Sequence, residues 1–328
     1  MLAATSRLRE DVGPMSLFLQ RCFDSLANGS VYAGLAVALS MVFRSTGVLN
    51  LAQGQMATLS AYIAFLFASD PGPQTSFTNW VDDFGTPWPV WAAILVAVII
   101  SALLGALLER TVIRPLGTDD PLPTIGATLG LFLLLDAFVR KYWFSQQRFL
   151  GSPFPDSADD RFEIGGARLW FDTLGITLTM IAALVLLAWV QRRSKLGLAF
   201  RAVTSNRSGS ELVGIHVGRV VMIGWAIAAA IGGLGGGLIA GEINVRPDMM
   251  SRLLIFGLAA ATLGGLRSPG LAFLGGYLFA FAETMMSGYV SFIDSQVTLV
   301  WALAVLIVVL SIRPSGLLPV TTSTGERR

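Results

Sequence analysis

Charge is scarce in this chain. Of 328 residues only 13% are Asp, Glu, Lys or Arg, against about 25% in an ordinary soluble domain. A chain that is 54% hydrophobic, with mean hydropathy +0.67, carries too much apolar surface for one water-facing domain and reads as a polytopic membrane protein. Cys22 is the single cysteine, which excludes an internal disulfide, and His216 is the single histidine, which removes any His/Cys metal cluster. Lysine occurs only at Lys141 and Lys195, and neither lies in G-x-x-x-x-G-K-[ST], so no nucleotide-phosphate loop exists. No buried Asp/Glu/His series forms a proton relay, and no nucleophile–base set supports catalysis. The net charge of +2 gives no nucleic-acid signal. If such a chain pumps, its energy must come from a partner. The residues before the first span, with Arg7, Arg9, Glu10 and Asp11, lack a signal-peptide apolar run, so no cleavage is expected.

Long apolar runs dominate what is present. A membrane helix needs roughly 20 apolar residues. Such runs fall near 88–108, 122–142, 171–190, 220–240 and 296–312, with one helix near 25–43 and a short one near 56–68. The stretch 252–288 is too long for one span, and 264-GGLRSPG-270 splits it into two shorter helices. The fold class is therefore an all-α membrane bundle of about 8–10 transmembrane helices, with broken or short helices near 44–56 and 252–288. Residues 1–24 form an N-terminal segment, 25–312 a single membrane domain and 313–328 a tail. A small hairpin fits 162-FEIGGARLWF-171.

Loop charge sets orientation. Segment 191–219 holds Arg192, Arg193, Lys195, Arg201, Arg207 and Arg219 against Glu211 alone, which places it in the cytoplasm. Arg110, Arg114, Arg313, Arg327 and Arg328 agree, and put the C-terminus inside. Asp70, Asp82 and Asp83 mark 69–87 as outside. Trp80, Trp88, Trp91, Trp143 and Trp170 fall near the outer ends, as an aromatic belt does. About nine crossings result, with the side of the N-terminus left open. A faint repeat relates 59-LSAYIAF-65 to 274-LGGYLFA-280, each after a glycine-containing break; shared membrane-helix composition explains it equally well.

Four features carry chemistry. In 45-STGVLNLAQGQMATLSAYIAF-65, Asn50, Gln53, Gln55, Gly47 and Gly54 interrupt an apolar run. Unwound backbone and amides at membrane depth are tolerated where they line a solute path, and a neutral amide avoids the desolvation of a fixed charge. A cytoplasmic turn with its amides in water is the other reading. Next, 191-QRRSKLGLAFRAVTSNRSGSELVGIHVGRV-220 places Leu196, Leu198, Ala199, Ala202 and Val203 on one helical face, and Ser208 or Ser210 can cap a second helix near Glu211. It serves either to dock a partner or as a basic loop against anionic lipid. Then 232-GGLGGGLIAG-241 spaces Gly232/Gly236 and Gly233/Gly237 for close helix packing, a role extended to Gly264, Gly265, Gly275 and Gly276. Last come the intramembrane acids: Asp136, four residues before Arg140, and Glu283 are read as structural, and Glu109 as an interfacial partner of Arg110.

With 35-LAVALSMVFRSTGVLNLAQGQMATLSAYIAF-65 the chain resembles the permeases of branched-chain amino acid ABC importers. Asn50, Leu51, Ala52, Gln53 and Gly54 match that family's N-[FL]-A-[QH]-G core, while Gln55 stands where relatives often carry an acid. 107-LLERTVIRPL-116 resembles its E-R-x-x-x-R-P-L. The family's cytoplasmic loop is matched at Gly197, Arg201, Ala202, Asn206, Leu212, Gly214 and Ile215, with Ser210 in place of alanine. 264-GGLRSPGLAFLGGYLFAFAE-283 matches a fourth motif. Together the motifs span roughly 25–312 and favour the first of the two paired permease types. The resemblance implies a second permease subunit, identical or paralogous, two cytoplasmic ATPase subunits, an external solute-binding protein, a bacterial inner-membrane location and no cofactor. It makes 196–215 the ATPase-coupling element, and favours the path reading of Asn50, Gln53, Gly54 and Gln55. Branched-chain or related amino acids are the expected solutes; a passive channel or facilitator for urea or an amide is the alternative.

Overall fold

The computed structural model describes residues 14–68, 87–117, 121–143, 147–157, 159–289 and 295–312. The expectations for residues 1–13, the acidic segment 69–86 and the tail 313–328 lie outside the described residues. The chain builds α1 (Pro14–Thr46), α2 (Gln53–Ala68), α3 (Val90–Leu108), α4 (Pro121–Trp143), β1 (Arg161–Ile164), β2 (Ala167–Trp170), α5 (Phe171–Arg193), α6 (Lys195–Ser205), α7 (Arg207–Leu212), α8 (Val217–Ile243), α9 (Met249–Gly264), α10 (Pro269–Tyr289) and α11 (Ser295–Ile312). Five of these are long and apolar enough to cross a membrane singly, and α9 and α10 form a pair bent by 119°. The architecture is the expected all-α polytopic bundle, with the antiparallel β1–β2 hairpin as its small exception.

The first helix begins earlier than the 25–43 run. Gln20, Arg21 and Asp24 dilute the apolar pattern there, yet they stay helical because each has work. The Gln20 amide oxygen accepts from the Arg168 backbone N–H on β2 at 2.8 Å, and its Nε2 donates to Asp24 at 2.8 Å. Arg21 lies 3.6 Å from Asp24.

Helix α8 is the axis of the bundle. Its glycines let two helices approach at once, which side chains would forbid. Gly232 and Gly236 face Gln53 and Ala57 of α2, Gly237 faces Ile94 of α3, and Gly233 meets both Ser60 of α2 and Ser101 of α3. Ser101 Oγ donates to the Ala229 carbonyl at 3.2 Å. Helices α2 and α8 run parallel and in direct contact, and α3 returns antiparallel against both. Helix α10 lies antiparallel along α1, from Leu266 beside Ser40 to Gly288 beside Arg21. So α2 and α10, the two helices of the faint repeat, run in the same direction, away from the face that carries α6 and α7.

After α3 the chain does not stop at once. Residues Glu109–Ile113 form a π turn and Arg114–Leu116 a 3-10 turn. The pairing expected for Glu109 changes here. In a π turn residue i+5 comes back over residue i. Arg114, not Arg110, therefore forks onto the buried Glu109, at 2.7 and 3.3 Å, and also donates to the Gly218 carbonyl at 2.7 Å. That fork gives the E-R-x-x-x-R spacing a physical reason. It ties the end of α3 to the start of α8, while Arg110 is exposed.

Candidate functional site

Between α1 and α2 the backbone is not helical from Gly47 to Ala52. The Gly47 N–H closes α1 on the Phe43 carbonyl at 2.8 Å, and its φ of 75° turns the chain in a region that favours glycine. From there the strand of backbone climbs inward. It starts beside a cavity of about 250 Å³ lined by Gly47, Glu109, Arg114 and Gly218. It ends with Gln53 against Ala228, eleven residues into α8 from Val217, or roughly 16 Å along the helix.

The amides are buried, so the water-exposed turn is ruled out. Asn50 and Gln53 are 0% exposed and Gln55 2%. Their bonds differ, and the difference assigns them different work. Asn50 Oδ1 accepts the Ala52 N–H at 3.1 Å, and its Nδ2 donates to Gln53 Oε1 at 3.2 Å. Gln53 Nε2 donates to the Ala228 carbonyl at 2.9 Å. Both side chains are thereby engaged in shaping the break and fixing it to α8. Gly54 lets α2 pass close to Met250 and Leu254 of α9.

Gln55 faces the other way. Its Nε2 donates to Asp136 Oδ1 at 3.2 Å, while its Oε1 is buried without a partner among the described residues. Thr58 and Tyr62 share that face at i+3 and i+7, both 0% exposed, and neither hydroxyl has a partner among the described residues. The face is covered by α4, where Tyr62 stacks near Trp143 at 5.2 Å and Asp136 pairs with Arg140 at 2.7 Å. Sequence reading missed Thr58 and Tyr62, although their helical spacing from Gln55 was a usable signal. Three buried, neutral, unpartnered oxygen groups in one row form an unusual seam, since a buried polar group nearly always has a partner. Glu283 lies elsewhere, on α10 facing Tyr32 of α1, and is not part of this seam.

The basic loop is two capped helices folded back on α5. Ser194 Oγ accepts the Gly197 N–H at 3.1 Å, and Asn206 Oδ1 accepts the Gly209 N–H at 2.8 Å. Asn206 is the second cap; Ser210 instead donates back to the Asn206 carbonyl at 2.7 Å. The apolar face also shifts from the expected one. Phe200 and Val203 are buried and Leu198 is 62% exposed, because the stripe toward α5 and α8 runs 196, 199, 200, 203. Gly197 allows α6 to lie against the Gln191 backbone, and Arg201 Nη1 donates to that carbonyl at 2.6 Å. Ala202 sits half-buried one position on. Past α7, Gly214 (φ 82°) reverses the chain, Ile215 N–H bonds the Ser210 carbonyl at 2.9 Å, and Leu212 is left 89% exposed.

Among the packing glycines, Gly264 meets the Leu271 carbonyl, Gly275 meets Ala260 and Gly264, and Gly276 meets Ala33 of α1. Gly265, at φ 109°, makes the turn into α10.

Comparison with known proteins places this arrangement. The family described as the permease component of branched-chain amino acid transport systems matches residues 21–311. The high-affinity branched-chain amino acid transport system permease protein LivH of Salmonella typhimurium is 28% identical over 312 residues, covering 92% of this chain and 95% of its own. BraD of Pseudomonas aeruginosa, named likewise a high-affinity branched-chain amino acid transport system permease, is 27% identical over 310 residues with the same coverage. The solved structure of PsaBC from Streptococcus pneumoniae in complex with Fab covers 96% of this chain and 97% of its own, at 15% identity and a TM-score of 0.44. The break at 47–52, the π-turn fork and the capped loop therefore sit in a multi-pass membrane protein of known kind: the chain belongs to the permease components of branched-chain amino acid transport systems.

Proposed function

We propose that this permease, as the membrane subunit of an ABC importer, carries branched-chain or closely related amino acids along the seam between α2 and α4 that begins at the 47–52 break. The row of Gln55, Thr58 and Tyr62, buried with unpartnered oxygens, carries this reading. A zwitterion needs donors and acceptors without a net charge that would trap it, and amide and hydroxyl groups supply both. In this scheme Asn50 and Gln53 hold the break in shape, and Gln55 is the first amide that faces the solute. The membrane domain spans 25–312, the loop 191–219 lies in the cytoplasm, and so does the C-terminus, in a bacterial inner membrane.

Partners follow from the same scheme: a second permease subunit, two cytoplasmic ATPases and an external solute-binding protein. The capped α6–α7 pair is the ATPase dock, and the exposed Leu212 its apolar contact. A passive facilitator has no use for such an element. Arg201→Glu turns a donor into a carboxylate facing the Gln191 carbonyl, which undocks α6. Gly214→Trp forces a bulky residue into a left-handed turn. Each variant is expected to lower co-purification of the ATPase by roughly tenfold or more, the equivalent of 1.4 kcal/mol, with the permease still in the membrane. Wild-type recovery of ATPase with both variants overturns the coupling assignment. Binding of candidate amino acids to the cognate solute-binding protein tests the substrate class separately.

A further inference from the structure

Two adjoining cavities open on the α6 side of the bundle, one of about 400 Å³ and one of about 420 Å³, and Arg44 and Arg201 line both. Arg192 lines the first and Arg267 the second. Among the described residues no Asp or Glu lines either one. Among the described residues none of these four arginines has a carboxylate within ion-pair distance. Arg44 is half-buried in the last turn of α1, with no ion pair of its own. A guanidinium in that position is poorly solvated, and like charges around it make matters worse. The arrangement calls for an anion.

The walls tell which kind. Below the arginines the first cavity is apolar, lined by Val37, Leu184, Leu187, Ala188 and Phe273. From Arg192 down to Leu184 is eight residues, about 12 Å along α5. Val185, 61% exposed on the surface of a membrane-crossing helix, lines the cavity as well. A small free anion has no use for that apolar depth. A phosphate diester with acyl chains fits both halves, since guanidinium forks onto phosphate oxygens and basic pockets between membrane helices take anionic headgroups.

We infer that the Arg44–Arg192–Arg201–Arg267 cavity is a binding site for an anionic phospholipid, with its phosphate among the arginines and an acyl chain along Leu184, Ala188 and Phe273. The lipid neutralises the corner where α1, α5, α6 and α10 meet. It thereby stabilises the seat of α6. The site depends only on the chain being in a bilayer, not on which solute it carries.

The test uses the full-length protein with whatever subunits co-purify, in mild detergent. Phosphatidylglycerol, phosphatidylcholine and inorganic phosphate are titrated while thermal unfolding and native mass spectra are recorded. Wild type is expected to retain phosphatidylglycerol and to unfold at higher temperature with it, but not with phosphatidylcholine. Arg44→Gln with Arg192→Gln is expected to weaken that binding by roughly tenfold or more. Ala188→Trp keeps every arginine and fills the apolar groove, so it should lose the lipid. Equal stabilisation of wild type by phosphatidylcholine overturns the site. So does unchanged phosphatidylglycerol binding in the double variant. If inorganic phosphate displaces phosphatidylglycerol, and Ala188→Trp binds both as wild type does, the ligand is a free anion and the lipid assignment fails. The wild-type arm decides on its own if a variant does not fold.

Discussion

Gly276→Val is expected to leave little folded protein in the membrane. A Cβ at this position falls on the backbone of Ala33 in α1, and 2.7 Å from the Ala33 side chain. Backbone cannot rotate aside as a side-chain tip can. The neighbouring contacts admit no slack either, since Gly275 and Gly264 meet each other across the bent α9–α10 pair, with a built Cβ of Gly275 only 2.7 Å from the Gly264 nitrogen. Forcing α10 off α1 opens the antiparallel contact that runs from Ser40 to Arg21. In lipid there is no hydrophobic gain to offset this, because the freed surface meets acyl chains as apolar as the partner helix. Overpacking costs about 1–3 kcal/mol where side chains can adjust, and a helix–helix backbone clash belongs at or above the top of that range. The readout is the monodisperse yield in mild detergent and its unfolding temperature. Gly126→Ala and Gly270→Ala are the controls, because nothing lies within 4 Å of a Cβ at either place. Both should behave as wild type. A Gly276→Val protein with wild-type yield and unfolding temperature defeats the packing account.

These contrasts show what the sequence could and could not carry. Glycine spacing in 232–241 is visible as i, i+4, and it marks a helix that packs closely. Which helices occupy the two faces is not local information; Ser101 and Ala57 declare themselves only when α3 and α2 arrive. The long apolar runs fixed the helices to within a few residues, because lipid-facing residues need no other pattern. The misses lie where polar side chains serve the helix instead of ending it. Gln20, Arg21 and Asp24 lowered the apparent hydropathy of α1, yet Gln20 is satisfied by β2. Glu109 looked like a partner of Arg110 only because the two are adjacent at a helix end, although neighbours in sequence do not face each other on a helix; the π turn hands it to Arg114. Two serines looked like caps, and Asn206, an equally good cap by chemistry, took the role because its backbone is extended (φ −150°, ψ 104°) at the junction of α6 and α7. Amide burial at Asn50 and Gln53 was open between two readings. It was decided by α8, whose Ala228 carbonyl and Gly232 make room for the Gln53 side chain.

Gln53→Leu is expected to reduce solute uptake by roughly tenfold or more while the protein still assembles, because about 1–3 kcal/mol is the usual cost of leaving a buried partner unsatisfied and 1.4 kcal/mol is a factor of ten. Leucine has a similar volume and an apolar site suits it, so the bundle stays closed. What disappears is the bridge from the break to α8, and with it the acceptor for Asn50 Nδ2. That amide keeps only a 3.6 Å contact to Met56 Sδ. Asn50→Leu removes the same link from its other end, and also the acceptor for the Ala52 N–H. If the pair acts by shaping the break, the double variant should be little worse than the poorer single one, since residues of one network are not additive. If instead each amide touched the solute on its own, the losses would multiply. Gln55→Leu gives the contrast: it removes one bond to Asp136 and an oxygen with no partner, so it should leave the unfolding temperature nearly unchanged and act on uptake alone. Uptake and unfolding temperature measured together across the four variants separate the two roles. Wild-type uptake in all of them would make 47–55 a connector and would move the solute path elsewhere.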